Sequence, residues 1–262
     1  MKIKRFLVAL FIAAPIIGFL IGKMTNSAEN PQHENSNPQV DVFGEDTGEH
    51  VCEHIEGEHI EGEHIDSPLR WNLTNIHELD NTFFVDLKYA TTDNFTGIVL
   101  YDGIDGAYFQ PDVGRMLAEA HRYLKTLRPD LRLLIYDAAR PLSAQRTMWE
   151  RVKDTKYHRY VASPDRLSLH NFGAAVDLTL SDTLGRQLDM GTPFDHFGRA
   201  AGINDEDGLM SQGLLNKQQI QNRRLLRQVM RYAGFRTVSG EWWHFNACTL
   251  QEAKERYALI ED

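Results

Sequence analysis

Residues 168–177 read Ser-Leu-His-Asn-Phe-Gly-Ala-Ala-Val-Asp, and residues 241–244 read Glu-Trp-Trp-His. These two short segments supply two imidazoles and two carboxylates, which are side chains that bind divalent metals. Gly173 permits a close backbone turn between a loop that carries His170 and a strand that carries Asp177. The second segment comes from a separate element, so a site built from both ties two parts of the fold together.

The residue types in these segments predict one zinc ion. A catalytic zinc usually has three protein ligands and keeps a fourth position for water. We expect His170, Asp177 and His244 to be the three ligands. Glu241 lies three residues before His244, so its carboxylate can approach the attacking water without binding the metal, and we expect it to act as general base. The helix-borne H-E-x-x-H spacing of many zinc peptidases is not used here.

Apolar periodicity predicts a mixture of strands and helices in the second half of the chain. Strands are predicted at 81–89, 131–136, 174–180, 235–238 and 241–246, and helices at 112–127, 143–152 and 217–232. Because these elements do not alternate as regular βαβ units, the pattern indicates an α+β fold, with helices flanking a central, mainly antiparallel sheet. The turn at 137–141 is expected to present Arg140 at the end of a buried strand.

Residues 1–23 have the features of an export signal. Lys2, Lys4 and Arg5 precede an uncharged apolar run over residues 6–21. This run is long for a signal-peptide core and slightly short for a membrane span, so a cleaved signal peptide and an uncleaved anchor through residues 6–21 both stay open. The basic residues before the run predict that the rest of the chain crosses the membrane, to the periplasmic side of the cell envelope.

Residues 24–68 form an acidic, His/Glu-rich linker ahead of the folded domain at 69–262. Glu-Gly-Glu-His-Ile occurs at 56–60 and again at 61–65. The segment has few apolar residues for packing, which favours a disordered spacer. Its imidazoles and carboxylates could also collect divalent metal, and the two interpretations are compatible.

Charge and cysteine content exclude several classes of protein. The formal net charge is −9, and most of it comes from the linker, so the folded domain is close to neutral. It has no basic stripe of the kind that binds nucleic acid.

The two cysteines, Cys52 and Cys248, are too few for a disulfide framework. One bridge is open for an exported chain, although two separate thiols are favoured. The sequence identifies no protein partner.

The pattern S-x-H-x-x-G-x-A-x-D followed by E-x-W-H resembles the zinc D-Ala-D-Ala metallopeptidases, a family that includes the D-alanyl-D-alanine dipeptidases. Four further segments are similar to that family, at 89–97, 136–141, 188–195 and 222–226. The resemblance runs from near Trp71 to near the carboxyl terminus. It implies one zinc ion per chain, bound by His170, Asp177 and His244, with Glu241 as the general base that later passes its proton to the leaving amine.

The resemblance also implies roles for three residues outside the metal site. Arg140 would stabilise the oxyanion of the tetrahedral intermediate, Asp195 would bind the free ammonium of the substrate, and Ser168 would contact the substrate at its other end. The alternatives are a surface ion pair for Arg140, a helix cap for Asp195 and a turn hydroxyl for Ser168. Ala139 stands where the family pattern leads us to expect a bulkier residue, which suggests a wider pocket.

The family resemblance implies hydrolysis of D-Ala-D-Ala. Since export argues against destruction of a cytoplasmic precursor, salvage or turnover of peptidoglycan-derived dipeptide is the favoured context. One alternative is a D,D- or L,D-carboxypeptidase that trims stem peptides, but a carboxylate at Asp195 that binds a free ammonium excludes long amino-terminal extensions. A second alternative is a non-catalytic envelope zinc-binding protein, which would have no need of Glu241 or Arg140.

Overall fold

The computed structural model describes residues 72–101 and 103–261. The predictions for residues 1–23 and 24–68 lie outside these ranges. None of the helices within them combines the length and the apolar character that a bilayer crossing requires.

Seven β-strands and six α-helices, together with four short 3-10 helices, make up the regular structure of the described ranges. The strands are β1 (Thr74–Asn75), β2 (Phe84–Val85), β3 (Tyr108–Phe109), β4 (Leu131–Asp137), β5 (Ala175–Asp182), β6 (Arg236–Thr237) and β7 (His244–Asn246). The helices are α1 (Ile76–Leu79), α2 (Pro111–Leu127), α3 (Leu142–Val152), α4 (Glu206–Ser211), α5 (Lys217–Tyr232) and α6 (Leu250–Arg256).

A five-stranded sheet in the order β2-β4-β5-β7-β6 forms the centre of the fold. β2 runs parallel to β4, and the other three pairings are antiparallel. β1 and β3 form a separate two-stranded antiparallel sheet. The predicted α+β class is therefore confirmed, but the sheet is mixed rather than mainly antiparallel, because β2 joins its edge in the parallel direction.

The central strand β5 has two chemically different faces. Leu178 and Leu180 point to one face and lie opposite Ile135 and Leu133 of β4, and all four are fully buried. Asp177 and Thr179, which alternate with these leucines, point to the other face because side chains alternate along a strand. Helices α2 and α5 pack on each other, α2 also on β4 and α5 also on β5, and their apolar residues join the same core.

The largest departure from the predicted elements lies at 81–89. Only β2 is extended there, and Lys88–Ala90 form a 3-10 helix. After β2 the Asp86 N–H donates to the carbonyl of Ile135 at 2.8 Å, and Lys88 then folds back to pair with the Asp86 carboxylate at 2.8 Å. β2 lies at the edge of the sheet and pairs only with β4, so no second strand holds the following residues in an extended conformation.

Two other differences concern the carboxyl-terminal region. The strand predicted at 241–246 begins only at His244, so Glu241 lies in the irregular segment before β7. Helix α6 was missed, although its capping box of Thr249 and Glu252 follows the recognisable T-x-x-E pattern. Cys248 is a buried free thiol in the main core, and its pairing with Cys52 stays untested because Cys52 lies outside the described ranges.

Helix α5 holds the segment at 189–202 through buried polar contacts. The Asn222 amide donates to the carbonyl of Asp189 at 2.8 Å. The fully buried Arg223 guanidinium donates to the carbonyls of Met190 at 2.6 Å and Ala200 at 3.0 Å, and lies over the ring of Trp242. Buried carbonyls need such partners, so Arg223 fixes a segment that has little regular structure of its own.

We expect Arg223→Met to lower the free energy of unfolding by about 3 kcal/mol or more, because it leaves several buried carbonyls without a donor. Arg224→Met is the matched control, since that side chain is exposed and pairs with Asp207 at the surface. Its effect should stay within about 1 kcal/mol. Urea unfolding of both variants checks this, and equal losses would contradict the role given to Arg223.

Candidate active site

Three donor atoms converge at one end of β5. The Nδ1 atom of His244 lies 2.9 Å from the Oδ1 atom of Asp177, and the Nε2 atom of His170 lies 3.4 Å from the same oxygen. The two ring nitrogens are 3.3 Å apart. Within the described ranges, His170, Asp177 and His244 form a group of ligand atoms close enough together to hold a metal ion. Glu241 is not part of this group.

Strand register places two members of this cluster. Asp177 of β5 is directly opposite His244 of β7 in the antiparallel pairing, so their side chains emerge side by side on one face of the sheet. The neighbouring strand places Asp137 opposite Asp177 on the other side. A row of Asp137, Asp177 and His244 therefore crosses three strands.

His170 reaches the cluster from a 3-10 helix, Leu169–Phe172, that precedes β5. Gly173 ends this helix in the left-handed conformation, with φ of +64°. A Cβ atom there would lie 3.2 Å from the Leu73 side chain and 3.3 Å from the backbone nitrogen of Gln110. Both the dihedral angle and the close approach require glycine, as the sequence predicted for this turn.

Each histidine uses its second ring nitrogen in a hydrogen bond, and these two bonds show that the cluster fits a metal. The Nδ1 atom of His170 lies 2.7 Å from the carbonyl oxygen of Ala138, and the Nε2 atom of His244 lies 2.8 Å from the Oδ1 atom of Asn246. Both oxygens are acceptors, so these nitrogens carry the hydrogens. The remaining lone pairs then face each other and Asp177, an arrangement of acceptors that needs a cation between them.

The electrostatics of the cluster agree with this. Burial alone would raise the pKa of Asp177, but the facing imidazoles of His170 and His244 hold it well below its usual range. Burial also disfavours a charged His244, yet Asp177 outweighs this and raises the pKa of His244 to about 9. The site thus demands positive charge, and a bound metal would displace the proton that otherwise supplies it.

Glu241 approaches this cluster from the irregular segment before β7 and lines the same cavity. Burial raises the pKa of its carboxyl to about 7, and the attraction of His244 and Arg140 does not cancel this effect. A carboxyl group that titrates near neutral pH can both accept and donate a proton under physiological conditions.

Arg140 follows β4 and is buried, so a surface ion pair is ruled out. Its guanidinium pairs with the Asp137 carboxylate and donates to the Oε1 atom of Gln145 at 2.8 Å. Burial opposes its charge, but Asp137 keeps the pKa of Arg140 well above its ordinary value. The Gln145 amide in turn donates to the carbonyl of Ala162 at 2.6 Å, which links Arg140 to another part of the cavity wall.

Asp195 lies on the cavity wall with a left-handed backbone, at φ of +57°. The Tyr89 hydroxyl donates to its carboxylate, with distances of 2.9 and 3.1 Å to the two oxygens. Burial and the charge of Asp177 raise the pKa of Asp195 well above its usual value despite this bond. The carboxylate has no salt bridge within the described ranges, so a cationic group that enters the cavity would find it available.

Ser168 combines a structural role with a place on the wall. Its Oγ atom accepts from the His170 N–H at 3.3 Å, and its own N–H donates to the Asn171 side chain at 2.8 Å, which forms a capping box. The expected turn hydroxyl is therefore present. Ser168 also lines the cavity, and its hydroxyl hydrogen stays available for a ligand.

All seven predicted site residues line one cavity of about 290 Å³. Ala139 does not line it. Ala139 packs instead in a small separate cluster with Leu73 and Ile260. The expectation that Ala139 widens the pocket is therefore wrong, because this side chain turns away from the site.

The comparisons with known proteins decide which family this arrangement belongs to. The M15 peptidase family model, described as D-ala-D-ala dipeptidase, matches residues 71–259. The chain belongs to this family. It is 35% identical over 178 residues to the D-alanyl-D-alanine dipeptidase of Escherichia coli, covering 68% of this chain and 83% of the relative.

Two further relatives carry the same name. The D-alanyl-D-alanine dipeptidase of Enterococcus faecium is 34% identical over 183 residues, covering 61% of this chain and 83% of the relative. That of Synechocystis is 29% identical over 176 residues, covering 56% of this chain and 71% of the relative. As a member of the M15 family, the chain is a metallopeptidase, and the resemblance inferred from its sequence is confirmed.

Sequence reasoning did not identify four residues that orient the site. They hold Asp195, Arg140 or His244 through the hydrogen bonds given above, and are Tyr89, Asp137, Gln145 and Asn246. Asp137 and Asn246 could have been found from the strand pattern, since each lies at an end of a strand that also carries or precedes a predicted site residue. Tyr89 and Gln145 depend on long-range packing.

We expect Asn246→Leu to weaken divalent metal binding by about 10- to 100-fold, because His244 loses the acceptor that fixes its ring orientation. Asn246→Asp keeps an acceptor oxygen and is the matched control. Competition with a chromophoric chelator measures both affinities. An unchanged affinity in the leucine variant would show that other contacts orient His244.

Proposed function

We propose that this chain binds one zinc ion through His170, Asp177 and His244 and hydrolyses the dipeptide D-Ala-D-Ala in the cell envelope. The observation that carries the proposal is that a metal-ligand cluster, a carboxyl group that titrates near pH 7 and an available carboxylate share one small cavity. Three relatives are D-alanyl-D-alanine dipeptidases by name, which supports the dipeptide as substrate.

The donor set supports zinc as the metal. Two imidazole nitrogens and one carboxylate oxygen form a ligand set found in catalytic zinc sites, where a fourth position stays open. Zinc bound there would supply Lewis-acid activation of water and of the amide carbonyl. The tautomers fixed by Ala138 and Asn246 leave the correct nitrogen of each ring free for it.

The protein side chains then divide the reaction among them. Glu241 takes a proton from the attacking water and passes it to the leaving amine. Arg140, held rigidly by Asp137 and Gln145, stabilises the negative charge that develops on the carbonyl oxygen. Asp195 binds the ammonium of the substrate, and Ser168 donates a hydrogen bond to its other end.

The envelope location and the role in salvage or turnover of peptidoglycan-derived dipeptide rest on residues 1–23. The basic residues before the apolar run support export of the folded domain. An exported dipeptidase would meet dipeptide released from the cell wall rather than a cytoplasmic precursor.

A kinetic panel with the purified full chain and zinc tests the substrate. We expect hydrolysis of D-Ala-D-Ala and little or none of N-acetyl-D-Ala-D-Ala or of stem peptides that end in D-Ala-D-Ala, because Asp195 requires a free ammonium next to the scissile residue. Preference for the extended peptides would instead support a carboxypeptidase.

Asp195→Asn sharpens this test, since the amide keeps an acceptor for the Tyr89 hydroxyl but loses the charge. We expect kcat/KM for D-Ala-D-Ala to fall by about 100-fold or more, while any residual activity on the acetylated dipeptide changes little. The matched control is Asp182→Asn, at the last residue of β5 and outside the cavity. Equal losses on both substrates would contradict ammonium binding by Asp195.

Glu241→Gln separates catalysis from metal binding. We expect kcat to fall by about 10²- to 10⁴-fold, the range for loss of a general base, with one zinc ion per chain retained. Zinc content by elemental analysis accompanies the rate measurement. A variant that keeps wild-type kcat would show that Glu241 is not the general base. A non-catalytic zinc-binding protein would instead bind zinc in both forms and hydrolyse no dipeptide in either.

A further inference from the structure

Two strained backbone positions lie on the wall of the active-site cavity. Among the described residues, the non-glycine residues with positive φ are Asn72 at 52°, Leu167 at 61° and Asp195 at 57°, and the last two line the cavity. Asn and Asp reach the left-handed region more readily, because their short side chains can hydrogen-bond locally. Leucine lacks this compensation, so its surroundings must impose the conformation at Leu167.

Hydrogen bonds on both sides of Leu167 impose it. The N–H groups of Arg166 and Leu167 donate to the same carbonyl, that of Ser163, at 2.9 and 3.1 Å. The next residue, Ser168, already caps the 3-10 helix that carries His170. The turn must therefore be completed at Leu167 for His170 to reach the metal cluster. Glycine would make this turn without steric cost, yet the chain has leucine here.

The position of the leucine side chain gives a reason for this choice. It is partly buried, packs against the main hydrophobic core and lines the cavity. Met148, Val161 and Leu169 lie in the same lining, so the polar site has an apolar wall. Because a cavity of about 290 Å³ is at the small end for a ligand site, one branched side chain on its wall removes much of the room for a substrate.

We propose that Leu167 is a specificity-determining residue whose side chain restricts the substrate to dipeptides with small side chains. The inference rests on the proposed function, since it concerns how this cavity selects among dipeptides. A strained leucine, in place of an unstrained glycine, closes space that a larger side chain of the substrate would occupy. A methylene that fits or does not fit an apolar pocket changes kcat/KM by about 10- to 200-fold.

Leu167→Ala and Leu167→Gly test the selection. The substrates are D-Ala-D-Ala and two larger dipeptides, D-Val-D-Ala and D-Ala-D-Val. We expect the preference for D-Ala-D-Ala over the better of the larger pair, as a ratio of kcat/KM values, to fall by about 10-fold or more in both variants. Leu184→Ala, at an exposed leucine outside the cavity, should keep the wild-type preference.

Thermal unfolding of the same two variants tests the backbone argument. Both variants lose the contacts of the leucine side chain, but only the alanine variant keeps the backbone strain of a positive φ angle at residue 167. Leu167→Gly should therefore melt roughly 2–4 °C above Leu167→Ala, the reverse of the usual order for this pair.

The outcomes separate this inference from the proposed function. A wild-type protein inactive on D-Ala-D-Ala overturns the proposed function and this inference with it. An active wild type whose two Leu167 variants keep its preference overturns only the specificity role. An alanine variant that melts at or above the glycine variant overturns the claim that leucine is kept at a conformational cost.

Discussion

The pairing register of β5 with its two neighbours is the constraint on which the site depends. It sets Asp137, Asp177 and His244 in one row across three strands, on the face opposite to the apolar row of Leu178 and its partners. Because side chains alternate along a strand, a shift of one residue would turn Asp177 into the core and a leucine into the site. The continuous burial of β5 makes such a shift very costly, so the core that stabilises the sheet also positions the residues that could bind a metal.

Charge balance explains why these residues belong together. Arg140 is the one Arg or Lys side chain among the described residues that line the cavity, and it is already paired with Asp137. Three further carboxylates remain, those of Asp177, Asp195 and Glu241. The proposed metal dication and the ammonium of a dipeptide would supply three positive charges at these groups, and the carboxylate at the other end of the dipeptide would add one negative charge. Burial of unpaired carboxylates is unfavourable, so the cavity is suited to take up both cations and to leave Glu241 able to exchange a proton.

The sequence predicted the local parts of this structure better than the long-range ones. The helix at 217–232 and the strands that carry Asp177 and His244 follow from apolar periodicity, and the grouping of possible metal ligands follows from their residue types. The prediction of a strand over 81–89 was wrong over most of its length. Apolar and polar residues alternate there, but the chain forms only a two-residue edge strand and then a 3-10 helix. The clamp of Arg223 on the carbonyls of Met190 and Ala200 was not foreseeable, since a basic residue on a helix is normally exposed. Likewise, the direction of the Ala139 side chain depends on a turn whose geometry only the structure gives.

The central claim is that His170, Asp177 and His244 hold a single zinc ion while Glu241 stays unbound beside it. Anomalous diffraction at the zinc edge from crystals of the purified protein tests this most directly. We expect one ion per chain, with two imidazole nitrogens and one carboxylate oxygen at about 2.0–2.2 Å and no bond to Glu241. An ion bound by Glu241 or by Cys248, or the absence of any ion between the two histidines in zinc-loaded crystals, would contradict it.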